Sequence, residues 1–120
     1  MNKNFFKQTR ILDGGMGQEL LVRGLEAHGT LWSANALLDK KNHSLIEEIH
    51  EDFINAGADV IVTNTFATRR IRLKENNLEK KFEILNEFAG EIAKKLKKKF
   101  PKILIAGGLP PQNITYSAGT

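Results

Sequence analysis

A chain of 120 residues has room for one domain with a modest core, and 41% hydrophobic with 27% charged residues is the composition of a folded protein, not of a disordered one. It contains no cysteine, which excludes disulfides and thiolate metal sites within these residues. The net charge is +4, no run approaches the roughly 20 apolar residues that span a bilayer, and Met1-Asn2-Lys3-Asn4-Phe5-Phe6-Lys7 lacks the apolar core of a secretory signal, so the expectation is a cytoplasmic protein with no membrane partner.

In chain order, Arg10-Ile11-Leu12-Asp13 is a short apolar run ended by Gly14-Gly15 and reads as a strand leaving into a tight loop. A helical turn is expected over residues 33–39. The next helix starts at Ser44-Leu45-Ile46-Glu47, which fits a capping box, and carries Leu45, Ile46, Ile49, Phe53 and Ala56 on one face, with Gly57 as a left-handed stop. Glu47, Glu48, Glu51 and Asp52 form its outer face. Asp59-Val60-Ile61-Val62-Thr63 is a continuous apolar run, the pattern of a strand buried on both sides.

Leu78, Phe82, Leu85, Ala89, Ile92 and Leu96 then repeat in steps of three and four, the buried stripe of a long helix for which Asn77 is a candidate N-cap. Lys94, Lys95, Lys97, Lys98 and Lys99 gather at its end, where cations complement the helix dipole. Without interleaved aromatic residues they read as a solvated helix end, so no nucleic-acid partner is expected. A third strand, Lys102-Ile103-Leu104-Ile105-Ala106, follows Pro101 and leaves through Gly107-Gly108. The polar tail 113–120 begins no further unit.

The order β-α-β-α-β specifies parallel strands and leaves two α/β architectures: an open doubly wound sheet, or the first three units of a (β/α)8 barrel. Three strands cannot close a barrel, and their open edges predict self-association of the chain.

Working residues in such folds lie beyond the C-terminal strand ends. Here those positions hold Asp13-Gly14-Gly15-Met16-Gly17, Thr63-Asn64-Thr65-Phe66 and Gly107-Gly108-Leu109-Pro110-Pro111. Asp13 either receives a substrate ammonium, with Gly14 and Gly15 letting backbone amides approach a carboxylate, or caps a turn. Thr63, Asn64 and Thr65 offer hydroxyl and amide groups at one strand end, or satisfy its backbone. Trp32 is loop packing or the aromatic wall of a pocket. The glycines 14–17 lack the spacing of a nucleotide loop. His28, His43 and His50 show no metal-site spacing and read as surface residues.

Ile11-Leu12-Asp13-Gly14-Gly15-Met16-Gly17-Gln18-Glu19-Leu20 with Arg23-Gly24 resembles the opening signature of homocysteine S-methyltransferases. Leu31-Trp32-Ser33-Ala34-Asn35 resembles a segment of members that use S-methylmethionine, and residues 56–66 resemble the family's second-strand block. The likeness implies a (β/α)8 barrel that moves a methyl group from a sulfonium or ammonium donor to the thiol of homocysteine, giving methionine. It also implies a zinc ion that holds the thiolate through cysteines later in the barrel.

On that likeness residues 1–120 form a partial homocysteine-binding domain, truncated after its third strand and without the zinc ligands. Asp13, Gly14, Gly15, Thr63, Asn64, Thr65 and Trp32 lie on its substrate side, Thr63 or Thr65 being the family's strand-end threonine. The glycine-proline block 107–111 departs from the family pattern and leaves the donor open. The alternative is a non-enzymatic or nucleotide-binding α/β module complete at this length.

Overall fold

The run Val60-Ile61-Val62 forms the central strand β1 (Val60–Val62) of a parallel arrangement. It pairs with β2 (Leu104–Ala106) in the register Val60 to Leu104, Ile61 to Ile105 and Val62 to Ala106. The computed structural model describes residues 2–112, so the tail lies outside the described residues.

On the other side of β1 the expected first strand is reduced to one parallel bridge, Leu12 to Val60. The Ile11 carbonyl accepts from the N–H groups of Asp59 (2.8 Å) and Val60 (3.2 Å), and Asp13 N–H donates to the Val60 carbonyl (3.0 Å). The next rung goes to a side chain, Val62 N–H donating to Asp13 Oδ2 at 3.0 Å. The pairing therefore ends at Asp13 because its carboxylate takes the place of a backbone carbonyl.

Val60 and Ile61 are buried, as a strand covered on both faces requires. β2 is only half-buried, against expectation, while Ile11 and Leu12 are 59% and 63% exposed. Both flank the central strand, and the described residues leave their outer edges uncovered.

The crossovers carry more helices than the apolar periodicity announces. The chain runs through α1 (Met16–Val22), α2 (Asn35–Leu38), α3 (His43–Asn55), β1, α4 (Arg70–Glu75), α5 (Phe82–Lys99) and β2. α2, with the 3-10 turn Trp32–Ala34 before it, is the helical turn expected at 33–39. α1 and α4 are too short to show a repeating stripe, each burying a single leucine, Leu20 and Leu73.

α3 ends as expected. Gly57 has φ +116°, its N–H donates to the Ile54 carbonyl and Ala58 N–H reaches back to Phe53, a Schellman motif. Ala56, at its C-cap, is exposed and no part of the apolar face. The start of α3 differs too: the capping box is not made, because a 3-10 turn over Lys40–Asn42 precedes the helix and the Asp39 side chain caps it by accepting from Lys41 N–H. Asn77 does not begin α5. At φ +58° it ends α4, with Asn77 N–H bonded to the Lys74 carbonyl and Leu78 N–H to Leu73. Asparagine tolerates the left-handed region better than most residues, so the same letter serves either helix end.

The core joins Leu20, Leu31, Leu37, Ile46, Ile49, Ile61, Leu73, Leu85, Ala89, Ile92 and Leu96, each large side chain contributing roughly 1.5–3 kcal/mol by burial. His50 belongs with them at 1% exposure, a correction to its surface reading. Positions 46, 49, 50 and 53 lie on one side of a helix, so a residue at 50 turns inward. Burial pushes its pKa down to about 4. His43 is half-buried, with Nε2 2.9 Å from the Leu37 carbonyl and its ring against Phe88.

The acidic face of α3 is paired. Glu47 meets Lys95 and Glu51 meets Lys99, both at 2.8 Å, and Asp52 meets Arg23 at 2.8 Å. Partly exposed pairs of this kind contribute about 0–1 kcal/mol each.

Candidate functional site

Beyond the C-terminal end of β1 a cleft of about 570 Å³ opens between the loop after Asp13 and the loop after Val62. Asp13, Gly14, Gly15, Trp32, Thr63 and Asn64 all border it, so the first two strand ends deliver their polar residues to one rim. Thr65 is absent from its lining. The Thr65 hydroxyl lies 3.0 Å from that of Thr63 and donates to the Gly108 carbonyl (3.3 Å), while Gly108 N–H donates to Thr63 Oγ1 (3.4 Å). The two threonines thus fasten the third loop to the strand end, and Leu109 in that loop is 98% exposed.

Asp13 combines a structural bond with an unusual electrostatic position. Burial raises its pKa above the ordinary carboxylate value, opposed by the N–H bonds from Val62 and from its own backbone. No lysine or arginine borders the cleft, whose charged lining is Asp13 and Glu26. The site therefore favours a cationic group, which would restore the solvation that Asp13 has lost.

Gly14 has a second role. A Cβ there would come within 2.7 Å of Phe53 Cε1, so this glycine lets the loop lie directly on α3. At Gly15 a Cβ would meet only the Gln18 side chain, at 3.9 Å.

Asn64 is 4% exposed, and its Nδ2 donates to the Ser33 carbonyl at 3.0 Å. That bond ties the Trp32 loop to the end of β1. Its buried Oδ1 has no hydrogen-bond partner among the described residues. Trp32, at φ +50° and 43% exposed, stacks on Phe66 with ring centroids 5.7 Å apart and planes 12° apart. Trp32 thus packs on Phe66 and also borders the cleft.

Sequence reasoning did not single out Gln18, Glu26, His28, Ser33 or Phe66 as cleft residues, all of which border it. Most sit on α1 and the loop after it, where no strand end marks them. Only Phe66, next to Thr65, lay within the strand-end signal.

Comparison with known proteins bears directly on this arrangement. A family model described as Homocysteine S-methyltransferase matches residues 10–120. The chain belongs to that family. Homocysteine S-methyltransferase 2 of Saccharomyces cerevisiae is 32% identical over 78 residues, covering 58% of this chain and 24% of the yeast protein. Homocysteine S-methyltransferase 1 of Arabidopsis thaliana is 31% identical over 97 residues, covering 73% and 29%. The crystal structure of the homocysteine methyltransferase MmuM from Escherichia coli, in its metallated form, superposes with a TM-score of 0.71 at 27% identity, over 91% of this chain and 41% of that one. The chain thus spans less than half the length of these relatives.

The zinc implied by the family resemblance does not fit the residues present. The sequence has no cysteine, and among the described residues no group of three His, Cys, Asp or Glu side chains is placed to hold a metal. No chemistry is assigned to a metal here. No helix among the described residues is long and apolar enough to cross a membrane.

Proposed function

We propose that these residues form the substrate side of a homocysteine methyl-transfer site, the first part of a (β/α)8 barrel in a cytoplasmic enzyme of methionine biosynthesis. The reaction forms a bond between a methyl carbon and the homocysteine sulfur. It breaks that carbon's bond to a cationic sulfur or nitrogen of the donor, such as S-methylmethionine; the bonding pair stays with the neutral leaving group, while the thiol proton passes to solvent. Asp13 pairs with the homocysteine ammonium, Thr63 and Asn64 border the same amino-acid end, and the backbone of Gly14 and Gly15 forms the floor. Trp32, stacked on Phe66, supplies the aromatic wall beside which a cationic donor centre rests. Holding both reactants in one cleft contributes through orientation. Thr65 acts at one remove, by holding Thr63 and Gly108.

The observation that carries this reading is the convergence of Asp13, Thr63 and Trp32 on a single cleft without a lysine or arginine in its lining. Titrating the chain with homocysteine while following the fluorescence of Trp32, its only tryptophan, tests it directly. Saturable binding that Asp13→Asn weakens at least about tenfold, the loss of one charged hydrogen-bond partner, is expected. Equal affinity of wild type and variant for homocysteine would remove the basis of the assignment.

A further inference from the structure

Trp32 has φ +50°, a backbone conformation that a bulky residue adopts only where its surroundings impose it. Its ring is held by Phe66, stacked at 5.7 Å, and lies 4.9 Å from the Arg72 guanidinium. Those contacts restrain the indole, not the turn that carries it. The backbone is pinned on either side of Trp32 instead. Leu31 before it is fully buried in the core, and the carbonyl of Ser33 after it accepts from Asn64 Nδ2 at 3.0 Å.

The second pin comes from far along the chain. Asn64 is 31 residues away from Ser33, just beyond the end of β1, and only 4% exposed. Its Oδ1 is buried without a hydrogen-bond partner among the described residues. An unpaired buried acceptor is costly, so the amide is retained here for its donor. An ionised carboxylate of the same size has no donor to offer. Through the Asn64 bond, the strand end that holds Asp13 by way of Val62 also holds the loop that brings Trp32 to the cleft.

We infer that Asn64 is a positioning residue for Trp32: by holding the Ser33 carbonyl, its amide keeps Trp32 in the left-handed turn where the indole borders the cleft, and so sets the affinity for a cationic group beside it. The link to a cation rests on the methyl-transfer reading. The placement of Trp32 by Asn64 does not. The role is also separate from any contact of Asn64 with the amino-acid end of a ligand, because it runs through Trp32.

The test is a double-mutant cycle in the full chain, with tetramethylammonium, a cation lacking an amino-acid end, as the probe. Affinity is read by nuclear magnetic resonance titration, since one arm lacks the tryptophan. Asn64→Ala removes the bond, and Asn64→Asp keeps the size while putting an oxygen in place of the donor. Without ligand, each should red-shift the Trp32 emission and raise its quenching by acrylamide. Each should also weaken tetramethylammonium at least about threefold, the size of an exposed cation–aromatic contact. In a Trp32→Ala background the same substitutions should cause no further loss, because the coupling disappears with the residue acted through.

Emission and quenching like wild type in both variants, shown to be folded by circular dichroism, overturn the positioning role. So does a loss of tetramethylammonium affinity that persists in the Trp32→Ala background, which would put Asn64 itself against the cation. Where neither variant folds, the wild type decides. Its Asn64 side-chain amide protons should exchange slowly with solvent, and fast exchange overturns the bond on which the inference stands. Tetramethylammonium that fails to bind the wild type overturns the link to cation affinity. Homocysteine binding that ignores Asp13→Asn instead faults the methyl-transfer reading and leaves the placement of Trp32 standing.

Discussion

Replacing His50 by leucine is expected to remove most of the acid sensitivity of folding between pH 6.5 and 5. His50 is buried in the apolar stripe of α3 with Nδ1 lacking a partner among the described residues, and burial lowers its pKa to about 4 from an ordinary 6.5. Above pH 6.5 the imidazole is neutral whether the chain is folded or not, so it contributes no pH dependence. Below 6.5 the unfolded chain takes up a proton that the folded chain refuses, and stability falls until the pH reaches about 4. The full interval corresponds to roughly 3.4 kcal/mol, at about 1.4 kcal/mol per pH unit. Between pH 6.5 and 5 the loss should be roughly 1.5–2 kcal/mol.

Two carboxylates with shifted pKa values act in opposite directions. Asp39, held below its ordinary value chiefly by the Lys41 N–H, loses its contribution only as the pH falls through the acid range. Asp13, raised by burial, becomes less unfavourable there. The difference between wild type and His50→Leu therefore isolates the histidine contribution. Urea unfolding followed by Trp32 fluorescence at half-unit pH steps gives the slope for both proteins. His50→Leu should flatten it while leaving stability at pH 7 equal or higher, since an unpaired buried nitrogen is removed. An unchanged slope in the variant would refute the buried-imidazole account.

Two further predictions concern packing and edges. Gly14→Ala should destabilise by about 1–3 kcal/mol, the usual cost of overpacking, because its Cβ meets the Phe53 ring. Phe53→Leu in the same chain should recover part of that loss, and thermal unfolding of the single and double variants measures the coupling. The exposed Ile11, Leu12 and half-buried β2 predict concentration-dependent association in sedimentation velocity, weakened by Leu12→Lys. A wild-type chain that stays monomeric at its solubility limit would argue against open strand edges.

Where periodicity was long enough to repeat, the fold was legible from the letters. The α5 stripe from Leu85 to Leu96 and the continuous run of β1 lie where hydrophobic spacing puts them. The short helices α1 and α4, each burying a single leucine, left no repeating trace and went unread. Capping residues misled for a physical reason: Ser44 and Asn77 have side chains that suit helix starts, yet the chain used a 3-10 turn before one and a left-handed stop at the other. His50 was misplaced because its polarity outweighed its position four residues after Ile46. For the site, strand-end residues were readable because parallel folds direct those ends to one rim. Glu26 and His28 were not, because loop conformation, not strand order, brings them there.

Asp13 links the fold to the chemistry proposed for it, and that link can be measured. Its carboxylate completes the ladder to Val62 N–H and is also a wall of the cleft, where burial raises its pKa. A ligand ammonium placed against it would lower that pKa again, so binding favours the ionised form and must weaken as protonation sets in. Homocysteine affinity should be flat at neutral pH and fall by about tenfold per pH unit once the pH drops below the raised Asp13 pKa. In Asp13→Asn the affinity should be low throughout and without that acid limb, while the fold persists because an amide oxygen still accepts from Val62. Wild-type binding that stays constant through the acid range, in a chain shown by circular dichroism to remain folded, would separate Asp13 from the ligand and leave it only its structural bond.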